Sequence, residues 1–214
     1  MYPAGNLIIP VEHGQLEAIV KEPRQLPAKG VALVLHPHPL GGGTMHNKVV
    51  FRAAAALNDA GLTTLRINFR GVGQSSGTHD FGKGELSDAR AGLDYLAQNY
   101  PDQDITLCGF SFGARMGMEI GAADDRVKFL ISIGTPLSKY NFDFLENCRK
   151  PLLFVHGERD EFGDTTELRA FTERLTQNHD VTLVVVPGTG HFFEGHLDEL
   201  KTAIFDWITA QLSR

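Results

Sequence analysis

The sequence predicts an α/β fold: a mostly parallel sheet with helices on both faces, in a single domain spanning residues 1–214. Three observations predict it. Short, continuous apolar runs such as Val31–Leu35 and Pro151–His156 recur along the chain, and such runs mark strands buried on both faces. Segments with helical apolar spacing lie between them, and that alternation is what crossover connections in a parallel sheet produce. The pentapeptide Gly109-Phe110-Ser111-Phe112-Gly113 then joins one apolar run directly to one such helix.

In chain order, residues 6–11 and 15–21 flank His13-Gly14 and predict a hairpin. Pro23 to Gly30 is a polar connector, and Val31–Leu35 is the first buried strand. Lys48–Ala60 has helical spacing and stops at Gly61, a C-terminal cap. Leu62–Phe69 is the next strand. Gly84–Asn99 is helical, with Leu86, Ala89, Leu93 and Leu96 on one face. Asp104–Cys108 is the strand before the pentapeptide and Phe112–Ala122 the helix after it. Val127–Ile133, Pro151–His156 and Val181–Val186 complete the strands; Thr165–Gln177 and His196–Leu212 are the remaining helices. The chain contains no repeat, low-complexity stretch or interdomain linker.

Composition narrows the function classes. The chain is 42% hydrophobic, ordinary for a globular core, and its net charge of −6 comes without a long block of either sign. That argues against nucleic acid or an anionic membrane as partner. Two cysteines, Cys108 and Cys148, do not make a disulfide framework, and Cys108 reads as a small apolar group in a core strand. The N-terminus lacks a basic stretch followed by an apolar one, and no apolar run approaches the roughly 20 residues of a membrane span. The expectation is a soluble, cytoplasmic protein.

The pentapeptide has the form G-x-S-x-G between strand and helix, the nucleophile-elbow pattern. The turn strains the serine backbone and exposes its hydroxyl, and the flanking glycines keep Cβ atoms out of neighbouring backbone. Ser111 requires a base, because a hydroxyl attacks only as an imidazole removes its proton. His191, in the loop Gly188-Thr189-Gly190-His191 after the last strand, is the expected base, with His196 as the alternative. Loops at the carboxyl ends of parallel strands are where such sites assemble. An acid must then orient the imidazole. Asp160 follows the strand end Leu152–Gly157 and is the expected group, with Glu158 and Asp164 as alternatives. An oxyanion needs two fixed N–H donors. Phe112, immediately after the nucleophile, supplies one. The loop His36-Pro37-His38-Pro39-Leu40-Gly41-Gly42-Gly43 supplies the other; its prolines lack N–H, leaving His38, Leu40 or the glycines, of which Leu40 is the expected donor.

Other motifs carry less. His36, His38 and His46 suggest zinc, but neither HExxH nor paired cysteines accompany them, so they are expected to shape the loop and no metal is assigned. Gly77-Thr78-His79-Asp80-Phe81-Gly82-Lys83-Gly84 approaches a phosphate-binding loop, but Gly84 stands where a Ser or Thr would bind magnesium. No nucleotide or other cofactor is expected. Arg70 is expected to make structural bonds beneath the loops.

Together these residues resemble the α/β-hydrolase superfamily. The order Ser111, Asp160, His191 is its chain order. The stretch His36 to Met45, with Asn47-Lys48-Val49-Val50 following, and Asn68 to Gly73 look like small, lidless bacterial members known only as predicted hydrolases. The likeness covers nearly the whole chain. It implies a serine hydrolase with a triad of Ser111, Asp160 and His191. Related hydrolases often carry Asp where this chain has Asn68, a position expected to be structural.

Gly134 to Lys150 is only 17 residues, room for a loop or a short helix near Phe142–Cys148 but not for a cap domain. An open, shallow site favours small or short-acyl carboxylic esters over long lipids. Phe110, Phe112, Tyr140, Phe142, Phe192 and Phe193 are candidates to line it. The leading expectation is therefore an esterase acting on a small-molecule ester through an acyl-enzyme. The same triad acting on thioester, amide or peptide bonds, or forming peracids, is the second reading, and a non-catalytic binding module the third. Dehalogenase and epoxide hydrolase chemistry is disfavoured, since those enzymes carry Asp where this chain carries Ser111. The sequence leaves the oligomeric state open.

Overall fold

The computed structural model describes residues 5–176 and 180–214. The strands are β1 (Asn6–Val11), β2 (Gly14–Lys21), β3 (Gly30–Leu35), β4 (Leu62–Ile67), β5 (Ile105–Phe110), β6 (Val127–Ile133), β7 (Leu152–Gly157) and β8 (Val181–Val186). The helices are α1 (Lys48–Asp59), α2 (Lys83–Asn99), α3 (Phe112–Ala123), α4 (Thr165–Thr176) and α5 (Leu197–Gln211). The expected end of α4 at Gln177 lies outside the described residues.

The strands form one sheet in the order β1-β2-β4-β3-β5-β6-β7-β8. The hairpin β1–β2 joins β4 antiparallel, and every pairing from β4 to β8 is parallel. The predicted α/β architecture is therefore the observed one. Alternation along β3 divides the interior in two. Val31, Leu33 and Leu35 face a core shared with α2, α3 and α4, whereas Ala32 and Val34 face one shared with α1 and α5. β3, β5 and β7 are buried at every residue, which is why their sequences are unbroken apolar runs rather than alternating ones.

Most boundaries shift by at most one residue from the sequence reading, and two shift by two. β5 runs on through Gly109 and Phe110, because Gly109 still pairs with both Leu35 and Ser132. β4 stops at Ile67, because the next backbone groups leave the parallel ladder: Phe69 N–H donates to His36 Nε2 at 3.0 Å. The segment Gly134–Lys150 holds one short 3-10 turn, Asp143–Asn147, and no cap domain. Cys108 and Cys148 are buried free thiols, and burial pushes the Cys108 thiol far above its ordinary pKa, so both serve as core.

Candidate active site

The carboxyl ends of β3, β5, β6 and β7 and the loop after β8 converge on one cleft of about 370 Å³. Its wall includes Pro37, His38, Gly41, Gly42 and Gly43 from the loop after β3, Ser111 and Phe112 from the elbow, and His191 and Phe192 from the loop after β8.

Ser111 sits at φ 56°, ψ −116°, a strained conformation for a residue with a side chain. The strain is held by its surroundings. Ser111 N–H donates to Ile133 O at 2.9 Å, and Ser111 O accepts from Arg115 N at 3.1 Å as α3 begins. A Cβ on Gly109 would overlap the Gly113 carbonyl, and one on Gly113 would overlap the carbonyls of Leu35 and His36, so both elbow glycines are required by close backbone approach. The Ser111 hydroxyl is not spent capping α3 and is presented to the cleft.

His191 Nδ1 lies 2.7 Å from Asp160 Oδ2, with both side chains almost fully buried. Asp160 is fixed in turn by Phe162 N–H, which donates to Oδ1 at 2.8 Å. The His191 ring packs between Phe110 and Phe162, at centroid distances of 4.9 and 4.7 Å. The competing candidates are engaged elsewhere. Glu158 accepts from Gly188 N–H, Asp164 caps α4 through the amides of Thr166 and Glu167, and His196 is half-buried and bonded to Glu194 O.

His156, at the end of β7, was given no role by sequence reasoning. It is buried 3.7 Å from Asp160 Oδ2 and donates from Nε2 to Gly163 O at 2.6 Å. Burial lowers its pKa, which favours a neutral ring behind the carboxylate.

The loop after β3 is pinned from below. His36 is buried, bonded through Nδ1 to Pro37 O at 2.7 Å and through Nε2 to Phe69 N–H. Met45 N–H donates to Asn68 Oδ1, Arg66 donates to Met45 O, and Asn68 Nδ2 donates to Glu17. Asn68 is thus structural, as is Arg70, whose guanidinium grips Asp88. Both ring nitrogens of His36 are spent inside the protein and His46 is exposed, so these histidines do not converge as ligands.

Leu40 does not stand where the sequence reading put it. Its N–H is taken by His38 Nδ1 at 3.2 Å, the residue is 73% exposed, and it lies outside the cleft wall. The cause is a 3-10 turn, Pro39–Gly41, with Pro39 at its first position and the His38 side chain as its N-terminal cap. The same turn ties the amides of Gly41 and Gly43 to His38 O and that of Gly42 to Pro39 O. The His38 N–H makes no such bond among the described residues and belongs to a residue of the cleft wall. Histidine is not among the usual N-terminal caps, so only Pro39 hinted at this turn in the sequence. Among the expected aromatics, Phe112, Tyr140 and Phe192 line the cleft. Phe110, Phe142 and Phe193 are core instead, and Phe162 takes a place in the wall that the sequence did not suggest.

Comparison with known proteins gives one consistent result. Residues 30–204 match a family described as an alpha/beta hydrolase domain. The chain is 40% identical over 189 residues to an uncharacterized protein of Rickettsia prowazekii (strain Madrid E), covering 85% of this chain and 79% of that one. The structure of an alpha-beta serine hydrolase homologue from Coxiella burnetii superposes with a TM-score of 0.90 at 36% identity, covering 97% of this chain and 99% of the other. A Xanthomonas campestris protein, described as a serine hydrolase without a lid, superposes with a TM-score of 0.88 at 35% identity, covering 100% and 98% of the two chains.

Proposed function

The chain belongs to the α/β-hydrolase family, and on that premise we propose that it is a serine hydrolase of small or short-acyl carboxylic esters. One observation carries the proposal: a strained serine and an aspartate-bound histidine face one open cleft.

In this reading Ser111 Oγ attacks the ester carbonyl as His191 Nε2 takes its proton, forming a tetrahedral oxyanion. Asp160 holds Nδ1–H of His191 and stabilises the imidazolium, so the free nitrogen is Nε2. The oxyanion is received by the N–H groups of Phe112 and His38. The first opens α3, where the helix dipole also favours negative charge, and neither is committed to another acceptor among the described residues. His191 then protonates the departing alkoxide, the alcohol leaves, and an acyl group remains on Ser111. Water, deprotonated by His191, attacks that acyl group; collapse of the second oxyanion breaks the Ser111–acyl bond, returns the proton to Ser111 and releases the acid.

The substrate class follows from the walls. The cleft is near the small end of ligand pockets and, among the described residues, has no cap above it. Its aromatic lining suits a compact apolar group, and a long acyl chain would extend past the rim into water.

The test is hydrolysis of p-nitrophenyl acetate, butyrate and octanoate by the protein and by Ser111→Ala. We expect kcat/KM to fall with chain length and Ser111→Ala to lose at least about 10³-fold. A preference for octanoate would overturn the short-acyl assignment, and equal rates for both proteins would overturn Ser111 as nucleophile.

A further inference from the structure

The near-phosphate-loop stretch 77–84 contributes nothing to the mechanism above, yet its histidine reaches the back of the site. His79 Nδ1 lies 2.7 Å from Glu85 Oε1, with side-chain exposures of 7% and 0%. Glu85 belongs to the first turn of α2 and accepts from the amides of Asp80 at 2.9 Å and Gly82 at 2.8 Å. Burial alone would raise its pKa; those backbone bonds and the neighbouring His79 outweigh it and hold the carboxyl below its ordinary value. The carboxylate is therefore held fixed at ion-pair distance from the imidazole, whose Nδ1 has no hydrogen-bonding partner of good geometry among the described residues.

His79 also meets three rings, those of His38, Phe112 and the exposed Phe81. Its centroid lies 4.8 Å from that of His38 and 5.8 Å from that of Phe112, and those two are 4.9 Å apart. The rings of His79, His38 and Phe112 form a closed triangle. His38 and Phe112 are the two residues whose N–H groups would receive the oxyanion. They come from different segments, the loop after β3 and the start of α3, and His79 from a third segment packs on both. A backbone donor is useful only if it is already aimed, because a donor that must reorient during reaction forfeits much of its stabilisation. Phe112 has further support from Phe69, at 5.6 Å, and Tyr140, at 6.3 Å. The other ring contact of His38 besides Phe112 is His79 itself.

We propose that the buried His79–Glu85 pair is a positioning device for the oxyanion hole, holding the side chains of His38 and Phe112 and through them their backbone N–H groups. This rests on the serine-hydrolase reading. Neither residue lines the cleft wall, so both act through the residues they hold.

The full-length protein, His79→Ala, His79→Gln and Glu85→Gln are compared with p-nitrophenyl acetate and with phenylboronic acid, which forms a tetrahedral adduct on the serine. The expected result for His79→Ala is a fall in kcat of about tenfold or more with KM within about twofold, and a matching loss of phenylboronic acid affinity. Glu85→Gln is expected to fall in the same direction. His79→Gln, closer to the natural side chain in size and polarity, provides the comparison should His79→Ala fail to fold. Unchanged kcat in the folded variants overturns the proposal. So does a loss confined to KM, which a general loosening of the cleft would give. Failure of the unsubstituted protein to hydrolyse p-nitrophenyl acetate or to be labelled at Ser111 by a fluorophosphonate overturns instead the serine-hydrolase reading, and is seen before any variant is compared.

Discussion

His36 shows how much one side chain can hold in place in a site it does not line. Its two ring nitrogens bridge its own loop and the segment after β4, and only a neutral ring can accept from Phe69 N–H. Burial lowers its pKa to about 4, with the Pro37 carbonyl and Glu85 opposing the shift only in part. Because the folded value lies below the unfolded one, the unfolded chain takes up a proton first as pH falls. Stability is therefore complete above about pH 6.5 and declines toward pH 4, by up to about 3 kcal/mol from this group. Urea unfolding at pH 7, 5.5 and 4 should show a shallower decline for His36→Gln than for the unsubstituted protein. Equal slopes would mean that other groups, such as buried His156, account for the acid sensitivity. At this scale the sequence identified Ser111, Asp160 and His191 as candidates and misjudged Leu40. Those three candidates are announced by motif and chain order. The fate of an amide depends on a 3-10 turn three residues long, below what periodicity can register.

Among the elements, α2 does more than cover the sheet. Asp88 on its buried face accepts from the backbone and the guanidinium of Arg70, binding the glycine-rich turn after β4 to the helix. His13 of the hairpin lies 3.7 Å from the same carboxylate. Removing the cation would leave Asp88, fully buried, without its main partner. Arg70→Met is expected to cost about 3 kcal/mol, read as a lower urea midpoint at pH 7. A change under about 0.5 kcal/mol would mean that the pair is structurally idle. The apolar spacing of α2 was plain in the sequence, but the polar contacts that seat it were not. Arg70 and Asp88 are 18 residues apart, and Glu85 and His79 meet only because the intervening chain turns back on the helix.

Across the whole molecule, two cores on opposite faces share one sheet, and strands such as β3, β5 and β7 contribute to both. Neither face can lose its helices without uncovering the strands that support the other. Thermal unfolding is accordingly expected as a single transition, with matching calorimetric and van't Hoff enthalpies. Two resolved transitions would mean that one face melts alone. The segment between β6 and β7 belongs to this scale as well: it holds only a 3-10 turn, so the cleft stays open, and under the proposed function its walls alone would set any acyl-chain preference.

The order of elements, the parallel core of the sheet, the elbow at Ser111 and the lack of room for a cap are all written in the chain. Each of these is local: an apolar period, a glycine that must admit a neighbouring backbone, or a segment length. Which amides remain free, which aromatics face the cleft and which carboxylate stands behind which imidazole are settled only by folding. Those facts depend on segments tens of residues apart being brought to within hydrogen-bonding distance, as Asp160 and His191 are at 2.7 Å, and the chain records such approaches only in the folded state.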